Sequence, residues 1–442
     1  MNRKSLLLVF YLLAGLSGFS QQNKTLSLEE AVSIALTNSD DAKLAETKIK
    51  IASEDLKVAK NNQYPDIALS GQYRYLTNPD VDLKLALGNP NPAEGEAQET
   101  GTPDVNQIMF GQANVSLPLF SGFKIRNAIN AQQNNLQAAS LNAASSQEKI
   151  ALQTISLYLN LYKAQQMVAV VKENLKSAQQ RVKDFSAMED NGLLARNDFL
   201  KAQLQESNIT VTLEEAEKNV RIINYQLATF LKLPDNSTFQ LPEETFIITP
   251  SIEKAEIQRS DVEALNYRKE ASLNAIKMAK SAYYPSIALV GGYAALDINN
   301  VFSVKNAMNI GVGVSYDLTD IFKAKNNVNL QQHKTEELEY NIAKAKDNVK
   351  IQVKNAKEEY ELALKKFEVY AKSQEQAEEN YRIVKDKYDN GLMDTNDLLE
   401  ADVDQLQSKI NKTNAKADIS LKYYELLQAE GILINKFNFK NN

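Results

Sequence analysis

The 442-residue chain has no cysteine, no tryptophan and a single histidine. Without cysteine there can be no disulfide, thiolate metal site, iron–sulfur cluster, cysteine nucleophile or lipidated N-terminal Cys. One histidine excludes an all-histidine metal site and paired-histidine acid–base chemistry. Only 15 Gly and 10 Pro are present, which favours long, uninterrupted secondary structure. Past the first twenty residues no segment offers the roughly 18 apolar residues that a membrane helix requires. Basic residues number 50 and acidic residues 56, a net charge of −6, and a nucleic-acid binder should instead show a basic face. A phosphate-binding glycine loop and paired carboxylates in an evident cleft are also missing. No catalytic residue, cofactor or metal ligand is therefore expected.

What is present begins with an address. Arg3 and Lys4, the apolar runs Leu6–Phe10 and Tyr11–Leu13, and Gly18-Phe19-Ser20 before Gln21 read as a signal peptide over 1–20. A short N-terminal core helix is the alternative, but Gln21-Gln22-Asn23-Lys24 turns polar at once. Removing Arg3 and Lys4 leaves 48 basic against 56 acidic residues.

The chain then repeats itself. The run Ala59–Tyr73, with Tyr64-Pro65-Asp66-Ile67, recurs 220 residues later as Ala279–Tyr293, with Tyr284-Pro285-Ser286-Ile287. Val115-Ser116, Phe123-Lys124 and Asp190-Asn191-Gly192-Leu193 recur at an offset of 199, as Val314-Ser315, Phe322-Lys323 and Asp389-Asn390-Gly391-Leu392. Two repeats, about 26–233 and 261–430, share one order: helix, strand, loop, strand, very long helix, tight turn, helix. The first repeat carries an extra acidic, Pro/Gly-rich loop at 78–107, which should face outward or be an insertion without a role.

The long helices should run from about 123 to 188 and from about 322 to 388, inside hairpins of about 123–232 and 322–430. Neither contains Pro or Gly. In the second, Leu338, Ile342, Ala345, Val349, Val353, Ala356, Tyr360, Ala363, Phe367, Tyr370, Ala377, Tyr381, Val384 and Tyr388 recur at spacings of mostly 3 and 4. That is a coiled-coil seam, with one stutter near Val349–Val353. His333 lies off it and should be a surface residue. At the ends, Asn-Gly supplies the left-handed residues a sharp reversal needs. Asp394–Asp397 offers N-cap side chains for the second return helix, and Asn197 for the first.

Four strands, expected at about 65–75, 111–120, 285–294 and 309–319, alternate between an apolar and a small or polar face. They have the length of transmembrane barrel strands. A soluble sheet packed on helices fits the alternation equally. The signal peptide and the aromatics near the strand ends (Tyr64, Phe110, Phe120, Phe123, Tyr283, Tyr284 and Phe322) favour a membrane-interface girdle. Open edges cannot stand in lipid, and known barrels start at about eight strands, so four strands must close by oligomerisation. The fold class is α+β, mainly α: long antiparallel coiled-coil hairpins plus four transmembrane β-strands per protomer.

At this point the chain resembles the TolC-type outer membrane factors. The carriers are Leu26-Ser27-Leu28-Glu29-Glu30-Ala31-Val32 with Ala35, Leu36 and Asn38, the duplicated Tyr-Pro-x-Ile strands, Leu117-Pro118-Leu119-Phe120-Ser121-Gly122, and Gly391 followed by Asn396-Asp397-Leu398-Leu399-Glu400-Ala401. The resemblance implies a homotrimer in the outer membrane of a Gram-negative bacterium, with a 12-stranded β-barrel continuous with a periplasmic α-helical barrel. It implies an equatorial region, here about 26–38, 234–261 and 431–442. It also implies a passive exit duct of an efflux pump, with an inner-membrane pump and a periplasmic adaptor as partners. An exit duct for type I protein secretion is a variant of this reading. A non-channel periplasmic coiled-coil protein is the competing one.

The resemblance further places an acidic ring at the periplasmic gate on Asp397 and Glu400, one helical turn apart. The alternative for Asp397 is an ordinary first-turn acid favoured by the helix dipole. The family's basic gate tether is replaced by Met393, and Arg196 is a candidate for another tether. The tips Gly192-Leu193-Leu194 and Gly391-Leu392-Met393 are candidates for adaptor docking or for packing within the trimer.

Overall fold

The computed structural model describes residues 23–77, 79, 105–242 and 257–437. The expected signal peptide, nearly all of the loop 78–107, and residues 243–256 and 438–442 lie outside the described residues. The chain divides into two compact units, one of residues 50–138 and 265–341, the other of 1–49, 139–264 and 342–442.

The first unit is built on a four-stranded antiparallel sheet. Its strands are β2 (Asp66–Tyr75), β3 (Gln107–Ser121), β5 (Ser286–Ile298) and β6 (Phe302–Ser315), in the order β2-β3-β5-β6. β3 and β5 come from different repeats, so the central pairing joins the two halves. The fourth strand starts and ends earlier than the sequence reading placed it. Its early end has a local cause: Asp317 Oδ1 accepts from the backbone N–H groups of Thr319 and Asp320 at 2.8 and 3.3 Å. That cap starts the next helix at Leu318.

The long helices are α3 (Lys124–Asp190, 67 residues) and α6 (Leu318–Asp389, 72 residues), and each contributes residues to both units. Their return partners are α4 (Arg196–Phe230) and α7 (Thr395–Glu430). The stripe read along α6 is its inward side: Ile342, Val349, Tyr360, Ala363 and Val384 are buried and the remaining seam residues are half-buried. His333 is exposed, beside Glu336.

The second unit has its main core where the termini of the repeats gather. Helix α1 (Leu28–Asn38) is capped by Ser27, whose Oγ accepts from Glu30 N–H at 3.1 Å. Strand β1 (Asn23–Thr25) pairs in parallel with β4 (Thr238–Gln240). Leu26, Leu28, Ala31, Val32 and Ala35 pack with Ile155, Tyr158 and Leu159 of α3, Leu227 and Leu231, Tyr360 of α6, Leu426 and Leu427 of α7, and Leu433. Leu433 opens the short helix α8 (Leu433–Lys436), which hangs on Glu148 of α3. The Glu148 carboxylate accepts from the N–H groups of Leu433 and Ile434 at 3.0 and 3.1 Å. Helices α2 (Asp40–Asn61) and α5 (Ser260–Ala279) precede the first strand of each repeat.

Candidate functional site

The sheet's two faces differ in chemistry. Cross-strand register assembles one face as rows: Ile67, Val115, Gly291 and Ile310, then Leu69, Ala113, Tyr293 and Met308. Leu117, Leu289 and Val312 continue it. This apolar face is open to the surroundings, with Leu69 at 81% and Ile310 at 83% exposure. The opposite face reads Ala68, Asn114, Gly292 and Asn309, then Ser70, Gln112, Ala294 and Ala307. There Gly292 lies between two amides: a Cβ on it would meet Asn114 Oδ1 at 3.2 Å and Asn309 Oδ1 at 3.3 Å. A soluble sheet buries its apolar face and wets its polar one, and here the large side chains of the apolar face stand open.

The aromatics fall in two places. Phe120, Phe123 and Tyr284 form an edge-to-face chain, with centroids 5.2 and 6.0 Å apart. Tyr64, Tyr283 and Phe322 are exposed at the same margin of the strands. A bulge between Pro118 and Phe120 shifts the alternation, so that Phe120, rather than Leu119, pairs with Ile287. Phe110 lies within β3, opposite Gln72 and Leu296, on the small and polar face.

Both hairpin tips belong to the other unit and share one backbone solution. Gly192 and Gly391 have φ of 71° and 70°. Leu193 N–H donates to Met188 O, and Leu392 N–H to Lys387 O, both at 2.8 Å. Of the tip apolar residues, Leu193 and Leu392 point outward, whereas Leu194 and Met393 pack against a buried cluster of Phe185, Phe199, Ala202, Val384, Leu398 and Ala401. The tips thus pack on each other with one residue apiece and leave one leucine apiece open.

The helix starts after the tips differ. α7 begins with a capping box: Asp394 accepts from Asp397 N–H at 3.0 Å, and Asp397 Oδ2 accepts from Asp394 N–H at 3.3 Å. Asp397 and Glu400 are both exposed. α4 begins one residue after Ala195, which makes no side-chain cap. Asn197 is therefore not the cap, because the helix is already under way when the chain reaches it. Arg196 Nη1 reaches Glu189 Oε1 across its own turn at 3.0 Å, and its guanidinium lies 6.0 Å from the Phe199 ring.

Sequence reading missed the most buried charge pair among the described residues. Arg181 of α3 and Asp402 of α7 are joined twice, Nη1 to Oδ2 and Nη2 to Oδ1, each at 3.1 Å, with side-chain exposures of 8% and 3%. Gln205 of α4 donates to Asp402 Oδ2 at 3.2 Å and accepts from Arg181 Nη1 at 3.1 Å. Tyr381 of α6 accepts from Arg181 Nη2 at 3.4 Å. Four helices from both repeats meet in one polar cluster. Burial alone would lower the Arg181 pKa, but the hydrogen bonds and charge of Asp402 outweigh it and hold the value above the ordinary range. A signal existed: Asp402 is four residues after Leu398 and next to Ala401, a charge in a core stripe.

Among the described residues, no three or more His, Cys, Asp or Glu side chains are placed to hold a metal, and no helix is long and apolar enough to cross a membrane. The features above define a class: paired coiled-coil hairpins joined to a small sheet that bares its apolar face. The family model described as outer membrane efflux protein matches residues 31–231 and 251–431, and the chain belongs to that family. The two matched stretches follow the two repeats. The family places the protein in the outer membrane of a Gram-negative cell, with a periplasmic extension. The chain is 22% identical over 438 residues to the outer membrane efflux protein BepC of Brucella suis, covering 97% of this chain and 90% of BepC. The fold is similar to the outer membrane protein VceC of Vibrio cholerae, with a TM-score of 0.76 at 17% identity, over 91% of this chain and 96% of VceC. It is also similar to the CmeC outer membrane channel of Campylobacter jejuni, with a TM-score of 0.74 at 19% identity, over 95% and 90%.

Proposed function

We propose that this protein is the passive exit duct of a tripartite efflux pump: a homotrimer whose twelve strands form one barrel in the outer membrane, continued by a periplasmic tube of helical hairpins. The observation that carries this reading is the four-stranded sheet with an open apolar face and two edge strands, β2 and β6, that are unpaired on their outer side among the described residues. In lipid such edges must be paired, and further copies supply the partners. The apolar face then meets acyl chains, the small and polar face lines a water-filled lumen, and Tyr64, Phe120, Phe123, Tyr283, Tyr284 and Phe322 sit at one interface. An inner-membrane pump supplies the energy, so the duct needs no catalytic site. A periplasmic adaptor docks on the exposed Leu193 and Leu392 at the tips.

Asp397 and Glu400 are the acidic ring at the periplasmic entrance. Their exposure, one turn apart at the start of α7, supports this, and three copies would stack two rings of three carboxylates that attract cations and repel anions. The test is detergent extraction with a mass measurement, then conductance in planar bilayers. A trimer that conducts, and loses cation preference in Asp397→Ala/Glu400→Ala, is expected. A water-soluble monomer without channel activity refutes the duct, and unchanged ion selectivity in the double variant refutes the ring.

A further inference from the structure

The internal repeat supplies a template for the seam between copies. β2 and β5 are repeat equivalents at an offset of 220, and β3 and β6 at an offset of 199. Within one protomer β3 pairs with β5, which is the second strand of one repeat against the first strand of the other. The same relation carried around the ring sets β6 of one protomer against β2 of the next. Among the described residues both are edge strands with one neighbour each.

The in-protomer register can be copied across. Gln112 faces Ala294, Ala113 faces Tyr293, Asn114 faces Gly292, Val115 faces Gly291 and Ser116 faces Val290. Applying the two offsets, we propose that Gly311, Val312, Gly313, Val314 and Ser315 of one protomer pair antiparallel with the partner's Arg74, the partner's Tyr73, the partner's Gln72, the partner's Gly71 and the partner's Ser70, in that order. This rests on the closure by further copies proposed above and adds the register of the seam.

Two observations support it. First, the copied register keeps chemistry on the correct side. Val312 and Val314 belong to the apolar face, as do Tyr73 and Gly71; Gly311, Gly313 and Ser315 belong to the other face, as do Arg74, Gln72 and Ser70. A slip of one residue would turn one strand's apolar side chains into the lumen. Opposite the long Arg74 and Gln72 the register sets glycines, repeating the fit of Gly292 between Asn114 and Asn309. Second, the in-protomer junction is closed by the edge contact of Phe123 with Tyr284. The repeat equivalents, Phe322 and Tyr64, are left 84% and 68% exposed within one protomer.

The absence of cysteine makes the test direct. Directly opposite Cβ atoms lie about 4.5–5.5 Å apart and diagonal ones about 7–8 Å, so only the former suit a disulfide. A Cβ at Gly71 has room, its nearest neighbour being Phe110 O at 3.9 Å. The matched pairs Gly71→Cys/Val314→Cys and Tyr73→Cys/Val312→Cys should give covalent trimers on mild oxidation. They should form at least about ten times faster than in the shifted pair Gly71→Cys/Val312→Cys. Native mass is measured on each variant in detergent. A trimer that links only in the shifted pair, or in neither kind, overturns the register and leaves closure standing. A monomer that links in no pair overturns both.

Discussion

Removing Asp402 tests whether one buried cluster binds the two hairpins together. In Asp402→Ala the Arg181 guanidinium keeps its buried position but loses both bonds of 3.1 Å to the carboxylate. Gln205 and Tyr381 are neutral and cannot replace that charge. Stripping one partner from a buried pair costs about 3–5 kcal/mol, most of it the penalty of an uncompensated ion. At 1.36 kcal/mol per factor of ten, the opening equilibrium of the surrounding helices rises by roughly two to three and a half orders of magnitude. Hydrogen exchange followed by mass spectrometry on peptides covering 174–190 and 395–408 reads this directly as lost protection. The double variant Arg181→Met/Asp402→Leu removes both charges and refills the space with apolar groups, so it should recover most of the loss. The exposed pair Lys350–Asp347, with both side chains more than 70% exposed, is the contrast. Deleting it should change protection by less than about threefold. A loss below tenfold in Asp402→Ala, or a double variant no better than the single, would refute the assignment of this cluster as the link between hairpins.

Two further outcomes follow from buried polar groups in the main core. Tyr360 is fully buried and its hydroxyl has no hydrogen-bond partner among the described residues, so Tyr360→Phe should leave thermal stability unchanged or raise it, by about 1 kcal/mol at most; a clear drop in melting temperature would show that the hydroxyl is satisfied in the assembled protein. Glu148 holds the start of α8, and burial raises its pKa from the ordinary 4.5, against the lowering effect of the Ile434 and Leu433 N–H bonds. A carboxyl whose folded pKa is raised stabilises the fold most below its unfolded value, and that contribution is lost as pH rises through the folded one. Relative to Glu148→Gln, the native chain should therefore gain protection of residues 431–437 as pH falls toward 4.5, measured by hydrogen exchange corrected for intrinsic rate; a native chain that loses protection relative to the variant on acidification would contradict this.

The long helices were legible because nothing in them interrupts a helix and because one stripe recurs for fourteen turns' worth of 3 and 4 spacings. Ile342, Val349, Tyr360 and Val384 sit on that stripe and are buried. Strand alternation was legible for the same reason, a period that survives any tertiary arrangement. What escaped depended on contacts distant in sequence or on competition between local signals. Arg181 and Asp402 are 221 residues apart, and no periodicity marks one as the partner of the other. Asn197 is a better cap by side chain than Ala195, yet the turn geometry set by Gly192 decides where the helix begins. The end of β6 was misplaced because Tyr316 and Leu318 extend the strand alternation, whereas Asp317 caps the helix that replaces it.

The two repeats solve the same turn and then diverge, and the divergence bears on which tip can form a fixed ring. After Gly391 the backbone is pinned by a capping box on Asp394 and Asp397, and four residues after Leu398 the chain is anchored again by Asp402 in the buried cluster. Asp397 and Glu400 are thus carried on a helix turn restrained at both ends. After Gly192 the equivalent start has no side-chain cap, and its charge pair, Arg196 with Glu189, is solvent-exposed on the arginine side. Removing one partner of an exposed pair of that kind costs about 0–1 kcal/mol, whereas removing one partner of the buried pair costs about 3–5 kcal/mol. Stiffness of the α7 start is what an ion-selective ring of carboxylates requires, since a field that attracts cations is strongest when its charges are held at fixed radius. The asymmetry between repeats is therefore one of capping, and it supports the proposed assignment of the ring to the second tip.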